Sequence, residues 1–202
     1  GAPPMPRFVS GPDRENLSAR MLTVPLGVDH DALLAHARAL NASVFPFLMA
    51  HFYRAMAAHS GASDLIIRVT THGRYRPELL DTLGLLFSAV PLRIDGAGKS
   101  TPAIVASLSR MLEAARDHQD VCFRDLARLA GEPDDEHVHP VTGISFALDC
   151  VLRFLYRAKA FSDADIRAIA AHMRETILQE LAEGARETFE AAETGRRALQ
   201  CS

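Results

Sequence analysis

Apolar positions recur at helical spacing in several stretches of this chain and gather as β-branched runs in others. Leu33, Ala37 and Leu40 share one face of a helix that Asp29 can cap. A second helix starts at Ser43 and presents Phe45, Leu48, Met49, Phe52, Tyr53 and Met56 before Gly61 closes it. A third follows Thr101, read as its cap with Pro102 at the first helical position, and buries Ile104, Leu108, Met111 and Ala115. The segment 123–130 reads as a short helix ending at Gly131, and 132–142 as a polar loop. Ser162 caps the last helix with Asp165 in capping-box position. Ile166, Ile169, Met173, Ile177 and Leu181 then follow one turn apart, and Gly184 is the candidate interruption before a charged tail.

Strand character marks 18–26, with Pro25 near its end, and is strongest in the β-branched run 65–71. The segments 90–94 and 143–148 read as further strands, and 151–156 as another apolar run. The stretch 79–87 is apolar and broken by Gly84. The order has no βαβ regularity and no internal repeat, so the predicted class is α+β, a mixed β-sheet flanked by helices. Pro3, Pro4, Pro6, Gly11 and Pro12 make 1–16 an extended linker, leaving 17–184 as the folded unit and 185–202 as a charged helical tail.

Composition narrows the function classes. A chain of 202 residues, 48% hydrophobic and 23% charged, can bury a core without staples, which excludes disorder and low complexity. No apolar run is long enough to span a bilayer, so no membrane partner is expected. The 22 basic and 25 acidic residues are dispersed to a net charge of −3, with no basic patch for nucleic acid. Cys122, Cys150 and Cys201 form no CxxC pair, and no secretory signal opens the chain; a reducing, cytoplasmic location is expected. Residue 1 is Gly rather than Met, as expected of a processed product, a tagged protein or a piece of something longer.

Three spacings hint at chemistry and fall short of it. Gly96-Ala97-Gly98-Lys99-Ser100 sits between a strand and a helix, but a phosphate-wrapping loop needs a glycine five positions before Gly98, where Arg93 stands. The turn reads as a connection. His137 and His139 beside Asp134, Asp135 and Glu136 lack a specified distant ligand, so a solvated acidic loop is expected and no metal. Cys122 lies four residues after His118, yet Val121 and Phe123 flank it with apolar groups that favour an inert thiol.

Four segments taken together carry a family resemblance. Asp64 through Leu79 (DLIIRVTTHGRYRPEL) and Leu83 through Arg93 (LGLLFSAVPLR) resemble consecutive motifs of nonribosomal peptide synthetase condensation domains. There a buried strand leads to G-R-x-R-P-E-L and then G-x-F-x-N-T-x-P-L-R. After one helix, His118 through Leu126 (HQDVCFRDL) is similar to the family's H-Q-D-x-P-F-E-x-L. The loop ending in His139-Pro140 falls where the family has an N-P-L-F-type turn into a strand. Order and separation agree for all four, and the likeness extends over about residues 7–184.

The resemblance implies the C-terminal lobe of a two-lobed, chloramphenicol-acetyltransferase-like fold about twice this length. In that family the active site is a tunnel between lobes, entered from opposite faces by phosphopantetheine arms of donor and acceptor carrier proteins. An acceptor amine attacks the donor thioester to form an amide, guided by H-H-x-x-x-D-G in the first lobe. This sequence has no such motif, so the chain alone is expected to be inactive and to carry no catalytic residue. Its expected partners are the N-terminal lobe and the two carriers, with no cofactor bound directly. Ser88, Arg74, His118 and Asp120 become tunnel-wall candidates by their places in the matching motifs. Against these, Arg93 is expected to tether elements, Arg74 and Arg76 to shape a turn, and His118 and Asp120 to serve a helix end.

Departures from the family pattern are Ser88 for Asn, Cys122 for Pro, Arg124 for an acidic residue, Arg68 for Gly and Thr70 for Pro. The join between Phe146 and Phe161 is also several times shorter than usual. Two other readings follow: a non-catalytic condensation-like docking module, and a coenzyme-A-dependent acyltransferase of the same superfamily.

Overall fold

A computed structural model describes residues 19–74, 76–119, 141–147, 150–158 and 161–200. Strand β1 (Ala19–Pro25) leads into helices α1 (His30–Ala39) and α2 (Val44–Ser60), then strands β2 (Asp64–Thr71) and β3 (Ser88–Asp95). Helix α3 (Thr101–Ala115), strands β4 (Val141–Ala147) and β5 (Val151–Arg157), and helix α4 (Asp163–Gln200) complete the described order. The α+β class holds. The described strands form two separate antiparallel groups, β1-β5-β4 and β2-β3, where the sequence suggested one mixed sheet.

Period-2 alternation sets which face of each sheet is buried. Leu65 and Val69 of β2 stand opposite Ile94 and Val90 of β3, and these four are buried with Leu92 against α2 and α3. In the other sheet, Leu22 and Val24 pair with Phe154 and Leu152, and this face packs toward α4. Helix α2 lies at the centre: the run from Pro46 to Phe52 is buried almost all round, because α1, α3 and α4 each pack against it.

Caps locate the helix ends. Asp29 accepts from Ala32 N at 3.0 Å, and Gly61 closes α2 in the left-handed conformation at φ 71°. Helix α3 begins one residue before expectation: Ser100 is its cap and accepts from Ala103 N, which puts Thr101 and Pro102 both inside the first turn. The Ser162–Asp165 box is complete, with Ser162 N donating to Asp165 Oδ2 at 2.8 Å and Asp165 N to Ser162 Oγ at 3.2 Å. Ser162→Ala should cost about 1 kcal/mol of stability in urea titration. An unchanged midpoint would show that α4 is held by packing alone.

Helix α4 does not stop at Gly184 but continues to Gln200. The glycine serves a close approach: a Cβ there would come within 2.6 Å of His36 Nδ1 on α1. At the other end of α4, Asp163 accepts from Arg20 of β1 and from Tyr156 of β5, both at 2.8 Å. The Arg20 hydrogen bond, then that of Tyr156, holds the Asp163 carboxyl below its usual range, while burial and then Asp163 push the Tyr156 phenol up.

The linker 1–16, the helix expected at 123–130 and most of the loop at 132–142 lie outside the described residues, as do Asp120, Cys122, His137 and His139. Among the described residues no single helix is long and apolar enough to cross a membrane.

Candidate functional site

The β2–β3 hairpin has two dissimilar ends. At one end Asp64 pairs with Asp95, and Arg93 closes the structure by donating to Asp64 at 3.0, 3.2 and 2.7 Å. That hydrogen bond, with the neighbouring charge, holds the Asp64 carboxyl below its usual range. Arg93 is thus the tether expected from its strand-end position.

At the other end Thr71 pairs with Ser88, and the chain between them makes a long excursion. Gly73 opens it at φ 68°, packed so tightly on Leu86 that a Cβ would lie 1.6 Å from the Leu86 carbonyl oxygen. The Arg74 guanidinium donates to the carbonyls of Thr82 at 3.0 Å and Gly84 at 3.2 Å, so it clasps the loop from inside. A 3₁₀ turn at Pro77–Leu79 and a bond from Thr82 Oγ1 to Glu78 O add further order. Arg74→Ala should raise amide exchange across 82–86 about tenfold, the worth of one or two lost hydrogen bonds, while α2 exchanges as before. Equal protection in both proteins would remove the clasp from this account.

The third candidate arrives by chain reversal. A five-residue turn follows β3, and α3 packs back along that strand. An eight-residue strand and a fifteen-residue helix are each about 22–27 Å long, so the C-terminal end of α3 returns toward the end where Ser88 opens β3. There Arg116–His118 forms a 3₁₀ turn with His118 exposed. The next residue, Gln119, is only 7% exposed, and its side-chain carbonyl has no hydrogen-bond partner among the described residues. Arg74 and Ser88 belong to one end of the β2–β3 hairpin, and His118 follows the C-terminal end of α3. Asp120 lies outside the described residues.

The glycine-rich turn is consumed by structure. Lys99 Nζ donates to Asp95 O at 2.6 Å, Lys99 O accepts from Arg54 at 2.8 Å, and Gly96 N donates to the Tyr53 hydroxyl at 2.8 Å. Tyr53 in turn donates to Ser63 O, and burial pushes its phenol up. The lysine ammonium and the N–H groups of Gly96, Ala97 and Lys99, which a phosphate would draw on, already have partners.

One polar cluster was not anticipated. His51, 1% exposed on α2, shares a 2.9 Å hydrogen bond between Nδ1 and Thr176 Oγ1 of α4, and its Nε2 lies 3.3 Å from Glu180 Oε2. His36 Nε2 of α1 approaches Glu180 Oε1 at 3.7 Å, and both imidazoles meet the Phe47 ring edge to face. Burial is the largest influence on Glu180 and pushes it up, but the hydrogen bond and charge of His51, aided by His36, outweigh it and hold the carboxyl below its usual range. The available signal was a histidine inside the apolar stripe of α2. Among the described residues no group of three or more His, Cys, Asp or Glu is arranged to hold a metal.

Comparison with known proteins bears on the whole assembly. A family model for the Condensation domain matches residues 12–153. A nonribosomal peptide synthetase, penN, of Penicillium thymicola is 28% identical over 140 residues, which is 68% of this chain and 5% of that protein. The first condensation domain of the calcium-dependent antibiotic synthetase, solved with a substrate analogue, superposes with a TM-score of 0.68 at 18% identity. That match covers 89% of this chain and 47% of the solved one. The condensation domain from Monacolin K polyketide synthase MokA gives a TM-score of 0.73 at 13% identity, covering 90% and 53%. The chain thus spans about half the length of the solved condensation domains it matches and a small fraction of the curated synthetase.

Proposed function

Because the chain belongs to the condensation-domain family, we propose that it is the C-terminal lobe of such a domain and acts by walling one side of an amide-forming tunnel. Completed by an N-terminal lobe bearing H-H-x-x-x-D-G, it would join acyl or aminoacyl groups delivered on the phosphopantetheine arms of two carrier proteins in the cytoplasm. The observation that carries this reading is the half-length match: the fold aligns over 89% of this chain and only 47% of a solved condensation domain.

In that reaction the acceptor amine nitrogen attacks the donor thioester carbonyl. A C–N bond forms, the C–S bond breaks, the amine proton is lost, and the donor arm leaves as a thiol. The work of this lobe is to hold the two arms in line and keep water out, which is worth several orders of magnitude in rate without a proton-transfer group of its own. Ser88, beside the Arg74-clasped loop, and His118, at the returning end of α3, are the wall residues in this reading. Asp120 belongs with His118 by its place in the same motif. The chain alone contributes no catalytic residue and is inactive.

The site is tested in the assembled two-lobe domain with donor and acceptor carriers loaded. Ser88→Phe should slow single-turnover amide formation at least tenfold by obstructing an arm, while the melting temperature stays near that of the parent. Full activity in Ser88→Phe would remove this residue from the tunnel, and absence of amide from the parent domain would overturn the function.

A further inference from the structure

His51 of α2 is buried, and both of its ring nitrogens face groups of α4. What each nitrogen faces fixes whether it carries a proton. Thr176 has one hydroxyl proton, and its Oγ1 lies 3.1 Å from the His172 carbonyl and 3.1 Å from that of Met173, which can only accept. With its proton on those carbonyls, the hydroxyl oxygen accepts from His51 Nδ1 at 2.9 Å. The second nitrogen, Nε2, is buried 3.3 Å from Glu180 Oε2 and has no alternative partner. A lone pair there would stand against a carboxylate in a place closed to water, so this nitrogen carries a proton as well.

We infer that His51 is an imidazolium locked between Thr176 and Glu180, so that α4 docks on α2 through a proton enclosed in the fold. Without that proton, one ring nitrogen presents a lone pair to an oxygen that has no proton to give. The surroundings leave the task to this cluster. From α1, His36 lies 3.7 Å from the other Glu180 oxygen, while Asp31 and Arg38 are exposed. Arg110 and Glu113 of α3 are exposed too, and Asp64 of β2 is bound by Arg93. On α4 itself, His172 lies one turn before Thr176, and Glu183 accepts from Gln179. The contribution of the lock is present while His51 is charged and is lost as rising pH removes the second ring proton. The stretch from Thr176 to Gly184 then loosens, while the Ser162–Asp165 box and the buried Ile166, Ile169 and Met173 keep the first half of α4 in place. Helix α4 runs on to Gln200, so the lock sets the direction of 185–200.

Nitrogen-15 labelling of the histidines in the full 202-residue chain tests the assignment, because NMR distinguishes protonated from bare ring nitrogens. At pH 7 both ring nitrogens of His51 are expected to be protonated. Thr176→Val keeps the side-chain shape and removes the acceptor of Nδ1, so one ring proton should remain. Glu180→Gln removes the charge that faces Nε2 and should also leave one. A single protonated nitrogen in the parent at pH 7 would overturn the proposal, and that spectrum decides the case if either variant fails to fold. Two ring protons retained in both variants would overturn it as well. Amide exchange in the parent gives a second reading. After correction for the intrinsic rate, protection across 177–183 should fall about tenfold over the pH step that removes the second ring proton, with 166–173 unchanged. An equal loss along the whole of α4, or none, would overturn the lock.

Discussion

Gly73→Ala is expected to leave the chain folded and to reduce amide formation by the assembled domain about 100-fold. An alanine Cβ at this position would lie 1.6 Å from the Leu86 carbonyl oxygen and 2.5 Å from its carbon, so backbone must move. The residue's φ of 68° adds the left-handed penalty of roughly 1–2 kcal/mol. Neither end of that contact lies in the core formed by α2, α3 and the inner faces of the sheets, so the loop yields before the fold does. A displaced loop moves the approach to Ser88 by an ångström or more, and misplacement on that scale costs about two orders of magnitude in a positioning enzyme. Gly98→Ala is the control, with a similar φ of 66° and nothing within 4 Å of its Cβ. It should lose a little stability and no activity. Equal activity loss in both variants would assign the effect to backbone strain in general.

Removing His51 should produce the largest loss of stability among single changes to polar residues. His51→Ala deletes a side chain that is 1% exposed, strands Glu180, frees Thr176 Oγ1 and leaves a void beside Phe47. Truncating a fully buried side chain of this size, with the loss of its hydrogen bond, costs about 2–5 kcal/mol. Glu180→Ala should cost somewhat less, because its side chain is 18% exposed and water reaches it. The double variant should cost less than the two single losses added together, because each single change leaves the other partner stranded. Simple additivity in urea titrations would show that the residues do not act as a unit.

The cluster also predicts an acid limb. The folded-state pKa of Glu180 is depressed, so its contribution is present above the ordinary glutamate value and lost as pH falls through the depressed one. Glu180→Gln should therefore be less stable than the parent at neutral pH, and the gap should narrow below about pH 4.5. A gap that widens with acid would reverse the assigned sign.

Element identity was largely legible because local chemistry decides it. Asp29, Gly61 and the Ser162–Asp165 box each stop or start a helix through a bond to a neighbour three or four residues away. The cap of α3 slipped by one residue because Ser100 and Thr101 are both able caps, and only the Ser100 bond to Ala103 N settles the choice. Gly184 read as an interruption because intrinsic propensity disfavours glycine in a helix, whereas its use is a tertiary approach to His36. The segment 79–87 is apolar and broken by Gly84, and its composition does not say whether it faces core or solvent. That depends on Arg74, whose two carbonyl bonds turn Leu83 and Leu85 outward. Of the candidate wall residues, Arg74 donates to the Thr82 and Gly84 carbonyls and Ser88 opens β3, placements that depend on the strand pairing rather than on any local pattern. His36 and His51 come from consecutive helices, but Thr176 lies 125 residues beyond His51, and no local pattern links it or Glu180 to them.

The measurement closest to the central claim is the intact mass of an acceptor carrier after mixing with a loaded donor carrier. Three arms are needed: this chain alone, the H-H-x-x-x-D-G lobe alone, and the two together. The half-domain account predicts that the acceptor gains the mass of the donor acyl group only in the combined arm, with an equal amount of donor returned as free thiol. Appreciable product from this chain alone, or none from the pair when an intact condensation domain works on the same carriers, would contradict it.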